Sequence, residues 1–122
     1  MKKGILILAH GSRERETEIV FNKIADMTKE KVNEAIIETA FLQFSDVNLE
    51  KGLDNLIARG VKEIKVIPYF LFSGVHIREN IPKKIEKYLE DKPNIKVIVG
   101  EVLGDDSRLA DILADKINKY LD

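Results

Sequence analysis

The residues of this chain best suited to chemistry are its only two histidines, His10 and His76. Imidazole is a common ligand of divalent transition metals, and it titrates close to neutral pH. The chain has no cysteine, which excludes disulfides, thiolate metal sites, iron–sulfur clusters and thiol nucleophiles. Either histidine alone is more simply explained as a structural residue, whereas two histidines at one edge of a fold predict metal binding or proton transfer.

The segment after the first histidine reads Gly11-Ser12-Arg13 and leads into a helical pattern. Glycine permits a tight turn, a helix N-terminus offers free N–H groups to an anion, and Arg13 could pair with a carboxylate or phosphate. An ordinary strand-to-helix turn with solvated arginines explains the same residues. The chain has no Walker loop, and no dinucleotide-binding glycine motif follows the first strand, so we expect no use of ATP.

An apolar segment, Tyr69 to Phe72, precedes Gly74 and His76. It could belong to the core, as part of a strand that continues past Pro68. It could instead form a wall for a flat apolar ligand, or a contact between subunits. The sequence leaves these alternatives open.

Four strand-then-helix units, with no linker between them, must position these residues. Short apolar or β-branched runs predict the strands, and apolar residues at helical spacing predict the helices. Ser45 or Asp46 is expected to cap the second helix, and Asp105 or Asp106 the fourth. The predicted strands are 5–9, 35–41, 63–67 and 95–99; the predicted helices follow Glu14, Ser45 or Asp46, Asn80, and Asp105 or Asp106.

This alternation predicts an α/β fold, a three-layer sandwich with a four-stranded parallel sheet and helices on both faces. We favour the flavodoxin-like strand order 2-1-3-4, in which strands one and three are neighbours and the winding direction reverses between them. Ligands of such sheets bind beyond the carboxyl ends of the strands at that point. His10 and His76 would then face one crevice.

Composition narrows the class of protein. The chain has 122 residues, 44% hydrophobic and 34% charged, which suits one domain spanning residues 1–122. The formal charge of −1 suggests no nucleic-acid or membrane partner. No apolar run approaches the roughly 20 residues that span a bilayer. The opening segment lacks a cleavage pattern, so we predict a buried strand there and a cytoplasmic protein.

Four segments in order carry a family resemblance: AHGSR at 9–13, AFLQ at 40–43, PYFLFSGVH at 68–76 and IP at 81–82. They resemble the CbiX-type sirohydrochlorin chelatases, in the short archaeal-type form, over essentially the whole chain. The HGSR start alone is weak evidence for this family, whereas the PYFLFSGVH segment is much more specific to it.

The resemblance implies a metal chelatase, a lyase that inserts cobalt(II) into sirohydrochlorin on the anaerobic route to cobalamin. Relatives insert iron(II) or nickel(II) into the same class of tetrapyrrole. The metal is then a substrate, and neither an organic cofactor nor ATP is expected. Longer class II chelatases resemble two such domains fused, so a symmetric homodimer with a shared cleft is implied.

The resemblance also implies roles for individual residues. His10 and His76 match the metal-handling histidines, and one of them or Glu79 would accept a proton. Many relatives have a glutamate where this chain has Gln43, and an aspartate where it has Asn80. Arg15 is a further candidate for the peripheral carboxylates of the substrate. The residues predicted to bind the tetrapyrrole are Ser12, Arg13, Gln43, Tyr69, Phe70, Leu71, Phe72, Ser73, Gly74 and Arg78.

Two other functions remain open at this stage. Phosphoryl transfer through a phosphohistidine at His10 is one, although such enzymes usually carry an arginine where this chain has Ala9. A carrier of metal or tetrapyrrole with the same pocket is the other. Acid-labile phosphate on His10 would indicate the first, and stoichiometric binding without a metallated product would indicate the second.

Overall fold

A computed structural model describes residues 2–121, with the side chain of His76 excepted. Eight main elements alternate along these residues, and each lies close to its predicted position. A π-helical turn, His76–Asn80, precedes the third helix, and a 3₁₀ turn, Leu89–Asp91, follows it. The elements are β1 (Lys3–Ala9), α1 (Arg15–Lys31), β2 (Ile36–Phe41), α2 (Leu49–Ala58), β3 (Glu63–Pro68), α3 (Ile81–Tyr88), β4 (Lys96–Val99) and α4 (Ser107–Asn118).

The four strands form one parallel sheet in the order β2-β1-β3-β4, which confirms the predicted topology. β1 lies in the centre and pairs with β2 from Gly4 to Ala9 and with β3 from Lys3 to Leu8. β3 ends at Pro68, which has no N–H to donate to a sheet ladder. The winding direction reverses between β1 and β3, so their carboxyl ends open into one crevice.

The larger core lies under α2 and α3. Leu6 and Leu8 of β1 and Leu53 and Leu56 of α2 are completely buried there. The opposite face carries a smaller cluster under α1, in which Phe21 packs edge-to-face on Phe41. Right-handed crossovers explain this division, because the chain moves one way along the sheet through α1 and the other way through α2 and α3.

Two helix caps test the sequence-based predictions. The prediction that Ser45 or Asp46 caps α2 is wrong: the cap is Asn48, whose side-chain oxygen accepts from the Lys51 N–H at 2.9 Å. The Ser45 hydroxyl oxygen instead accepts from the Val47 N–H, within the loop. For α4, Asp106 is confirmed as the cap and accepts from the Arg108 N–H at 2.9 Å.

α4 differs from the other main helices in its packing, because none of its residues is buried. On the α1 face of the sheet, Ile98 of β4 is 46% exposed. α1 buries only Phe21 and Ala25 against this face. Within residues 2–121, no helix is both long enough and apolar enough to cross a membrane.

Candidate active site

His10 directly follows the last residue of β1, at the carboxyl edge of the sheet, and its side chain is exposed. The chain after β2 runs alongside it, because the Leu42 N–H donates to the Ala9 carbonyl at 2.9 Å and the Gln43 N–H donates to the His10 carbonyl at 3.2 Å. These bonds extend the pairing of β1 and β2 past the strand ends. Gln43 is therefore held beside His10, as the predicted site requires.

Gly11 makes this arrangement possible. Its φ of 92° lies in the left-handed region, which glycine adopts without a steric penalty. A Cβ at this position would stand 2.1 Å from the carbonyl oxygen of Gln43. No other residue type permits the two backbones to approach so closely.

The segment after β3 supplies an aromatic neighbour. The Tyr69 N–H donates to the Leu8 carbonyl at 2.7 Å, and the Tyr69 ring lies 5.4 Å from the buried Phe21 ring. The Phe70 ring meets the His10 ring edge-on, with 5.9 Å between centroids and 76° between planes. Such a contact restricts the orientation of the imidazole while leaving it open to solvent.

His10, Phe70 and residues of the π-helical turn line one cavity of about 720 Å³, which we call the histidine cavity. Its walls are largely apolar, and Phe72 at its rim is 80% exposed. π-helical turns occur frequently at functional sites. The complete lining is His10, Leu42, Gln43, Phe70, Phe72, Gly74, Ile77, Asn80, Ile81 and Lys84.

A second cavity of about 710 Å³ opens on the other side of His10, and we call it the acidic cavity. Glu14, Glu16 and Thr17 line it, together with Tyr69. His10 lines both cavities, and both have largely apolar walls; the acidic cavity differs in that the carboxylates of Glu14 and Glu16 also line it.

Several predicted substrate-binding residues lie elsewhere. Ser12, Arg13 and Arg15 line a third cavity of about 490 Å³, where Arg13 stacks over the Phe44 ring at 5.1 Å. The Ser12 hydroxyl oxygen accepts from the Glu14 N–H at 3.0 Å and so stabilises the start of α1. The roles predicted for these residues stay predictions.

The remaining predicted residues fall into two groups. Gln43, Phe70, Phe72 and Gly74 line the histidine cavity, and Tyr69 lines the acidic one. The other predicted residues that the structure describes have exposed side chains and line neither cavity; they are Leu71, Ser73, Arg78 and Glu79. The backbone of His76 begins the π-helical turn, but its side chain lies outside the described structure, so its meeting with His10 stays a prediction.

The sequence analysis missed Lys84, Glu14 and Glu16. The spacing of Ile77, Ile81 and Lys84 is i, i+4, i+7, which places Lys84 on the cavity face of its helix and could have revealed it. Glu14 directly precedes α1, and Glu16 lies in its first turn. Acidic residues at these positions commonly do no more than stabilise the helix through its dipole. Among the side chains that the structure describes, no three of His, Asp or Glu are grouped to hold a metal ion.

The CbiX family model matches residues 4–120, nearly the whole chain. The chain belongs to the CbiX family. Curated relatives include the sirohydrochlorin cobaltochelatase of Sulfolobus acidocaldarius, 30% identical over 97% of this chain and 92% of the relative. The sirohydrochlorin ferrochelatases of Priestia megaterium and Arabidopsis thaliana are 31% and 30% identical. The chain spans only 44% and 52% of their lengths, about half of each.

Solved structures agree with this membership. A CbiX protein of Marinobacter aquaeolei superposes with a TM-score of 0.82 at 26% identity, covering 99% of this chain and 96% of that one. The sirohydrochlorin chelatase SirB of Bacillus subtilis, in complex with cobalt, superposes with a TM-score of 0.90 over 98% of this chain and 51% of its own. At 24% identity the likeness to SirB concerns the fold.

Proposed function

We propose that this protein inserts a divalent metal into sirohydrochlorin without ATP, as a step toward cobalamin or a related tetrapyrrole. The observation that carries the proposal is the position of His10, an exposed imidazole that lines two largely apolar cavities, one of which also contains Glu14 and Glu16, at the sheet edge where the winding direction reverses. Membership of the CbiX family supports it, as do relatives named sirohydrochlorin chelatases. Cobalt is favoured over nickel and iron because the archaeal cobaltochelatases match this chain over nearly their full length.

Metal insertion exchanges two pyrrole protons for one M²⁺ ion, so the site must deliver a cation and accept protons. A neutral imidazole at His10 can do either, since its free nitrogen binds a metal or a proton. The carboxylates of Glu14 and Glu16, which share a cavity with His10, are suited to carry released protons toward solvent. His76 and Glu79 keep the roles that the family resemblance implies.

The macrocycle itself suits the histidine cavity. Phe70 and Phe72 present apolar surface to a flat ring, and the largely apolar walls displace water from its face. The peripheral carboxylates of sirohydrochlorin need cations at the rim. Lys84 lines this cavity, whereas Arg13 and Arg15 lie in the neighbouring one and Arg78 lies at the surface.

A symmetric homodimer completes the proposal. Relatives of about twice this length would hold two such units in one chain, as the coverage of 44% and 52% suggests. A second copy of this chain facing the histidine cavity would enclose the macrocycle between two His10 side chains. Two copies would supply four histidines in all.

An anaerobic assay of sirohydrochlorin with cobalt(II), nickel(II) and iron(II) in parallel tests the function. We expect spectral conversion over many turnovers, fastest with cobalt. His10→Ala should reduce kcat/KM by at least about 100-fold, in the range of a lost acid–base or ligand group. Lys87→Ala, which changes an exposed residue at the end of α3, is the control and should behave as the wild type.

Conversion by none of the three metals would overturn the proposal. Product equal to one equivalent per subunit, without turnover, would indicate a carrier instead. Full activity in His10→Ala would overturn the role of this residue. Acid-labile phosphate on His10 would redirect the assignment to phosphoryl transfer.

A further inference from the structure

The histidine cavity offers no negative charge to an incoming cation. Among the described residues that line it, Lys84 is the only acidic or basic side chain apart from His10, and it is a cation. Gln43 and Asn80 are the other polar residues of the lining, and both side chains are amides. A divalent metal that enters this cavity alone therefore meets an imidazole, amide groups and an ammonium group.

Such a set of side chains holds a divalent transition metal weakly. A small doubly charged ion loses much hydration free energy when it leaves water, and strong ligands must compensate for this loss. Imidazole is a good ligand for cobalt, nickel and iron, whereas carbonyl oxygens suit calcium and magnesium better. The carboxylates of the acidic cavity do not change this, because His10, Glu14 and Glu16 are not grouped so as to hold a metal ion.

The other parts of the proposed site do not supply negative charge either. His76, in the role that the family resemblance implies, would add a second neutral imidazole. A second copy of the chain would repeat the same lining, with another Gln43 and another Lys84. Twofold symmetry thus adds a cation to the cavity together with each set of imidazoles.

The macrocycle supplies what the cavity lacks. Sirohydrochlorin brings its ring nitrogens as ligands, and its peripheral carboxylates bring negative charge to the side of the cavity that Lys84 lines. Its flat face displaces water from Phe70 and Phe72, and a cation interacts more strongly with its ligands in the drier site that results. The metal therefore gains affinity for the site once the ring is bound, and by reciprocity the metal then strengthens the binding of the ring.

We propose that the two substrates bind in a fixed order, the macrocycle first and the metal second, and that Gln43 sets this order. The proposal rests on the proposed function and adds to it the sequence of binding. Position 43 is decisive because its N–H donates to the His10 carbonyl at 3.2 Å and its carbonyl lies against Gly11, which holds it beside the imidazole. An amide there leaves the cavity uncharged where a carboxylate would give the imidazole an anionic partner.

A cobalt trap tests the order. The chain is incubated with cobalt(II) alone and then mixed with sirohydrochlorin and excess EDTA, so that free metal is removed while metal already held at the site can still react. We expect no more product from the wild type than from a mixture that contains EDTA from the start. Sirohydrochlorin should bind the metal-free chain saturably, as measured by quenching of the fluorescence of the ring.

Gln43→Glu is the variant that should change the order. The side chain is exposed and the substitution keeps its shape, so the fold should be retained. The new carboxylate should tighten cobalt(II) binding to the ring-free chain by at least about tenfold in calorimetric titration, the smallest change that a partner of a metal ligand usually makes. This variant should also yield product in the cobalt trap.

Asn33→Asp is the matched control, because it makes the same change of charge in an exposed loop before β2, at the opposite edge of the sheet. It should behave as the wild type in both measurements. A double variant, Gln43→Glu with His10→Ala, should lose the gain in cobalt affinity, since the carboxylate acts together with the imidazole.

Three outcomes would overturn the proposal. Product from the wild type in the cobalt trap would show that metal binds productively before the ring. Equal cobalt affinity of the wild type and Gln43→Glu would remove Gln43 as the determinant. A gain that survives His10→Ala would place the added metal away from the imidazole. Turnover without EDTA is measured separately: conversion combined with any of these outcomes indicates a chelatase with a different binding order, whereas no conversion with any metal counts against the proposed function.

Discussion

At the scale of single residues, the site depends on Gly11 as much as on His10. The glycine combines a left-handed φ with a close approach to the Gln43 backbone, and this holds the carboxyl ends of β1 and β2 together beside the imidazole. The HGSR motif thus contains one residue suited to chemistry and another whose missing side chain permits the turn.

Gly11→Ala should lower the free energy of unfolding by about 2 kcal/mol or more. A left-handed conformation costs a residue with a Cβ roughly 1–2 kcal/mol, and the Gln43 carbonyl would have to move. Urea unfolding measures the change. Gly74→Ala is the matched control and should be neutral, because nothing lies within 4 Å of its added Cβ. Equal stability of the two variants would contradict this account of the turn.

Lys84 is the cation that the structure adds to the histidine cavity. If it pairs with a peripheral carboxylate of the substrate, Lys84→Ala should raise KM for sirohydrochlorin about fivefold with little change in kcat, the effect of losing an exposed ion pair. Lys83→Ala, one position earlier on α3 and absent from the cavity lining, should leave both constants unchanged. A loss in kcat alone would point to a different role.

At the scale of elements, α2 is held against the sheet by close packing at Gly52. This helix position is buried, and an added Cβ would lie 2.7 Å from Leu6 Cδ1 and 2.8 Å from Ala40 Cβ. Leu6 and Ala40 are both fully buried in the centre of the larger core. The glycine therefore sets how near α2 comes to β1 and β2.

Gly52→Ala has two opposing effects on stability. Alanine favours a helix over glycine by about 1 kcal/mol, whereas overpacking a core costs about 1–3 kcal/mol. The Leu6 methyl can rotate away, but the Ala40 Cβ is attached rigidly to its strand, so we expect a net loss of about 1 kcal/mol in thermal or urea unfolding. Lys51→Ala, exposed on the same helix, should change little. A stabilised Gly52→Ala variant would show that α2 can move outward freely.

At the scale of the whole molecule, the subunit is asymmetrically covered. α2 and α3 protect one face of the sheet, α1 protects part of the other, and α4 buries no residue on either. A second copy of this chain, as in the proposed homodimer, would cover apolar surface that one subunit leaves exposed, and folding would then depend on association.

The melting temperature of the wild type should accordingly rise with protein concentration, because mass action favours a dimer that binds no unfolded chain. Calorimetry over a wide concentration range measures the change, and a melting temperature independent of concentration would contradict the prediction.

The sequence by itself determined the fold class and the position of His10 after the first strand, and it favoured the strand order that the structure confirms. These follow from local pattern: apolar runs, helical spacing and the crossover rule constrain the sheet before any side chain is placed. The HGSR and PYFLFSGVH segments were enough for the family. The predicted cap of α2 was wrong because several polar residues in the loop before this helix could serve as the cap. Only the geometry of the chain selects Asn48.

The tertiary structure decided what lies beside His10 and what α4 leaves exposed. Lys84 is far along the chain from Glu14 and Glu16, and acidic residues at a helix start do not by themselves indicate a site. Only the packing of α1 and α3 at one sheet edge brings these side chains to the cavities around His10. Periodicity identifies the apolar side of α4 but cannot say which surface covers it. That depends on which sheet face the other helices leave open, and so on contacts between residues far apart in the chain.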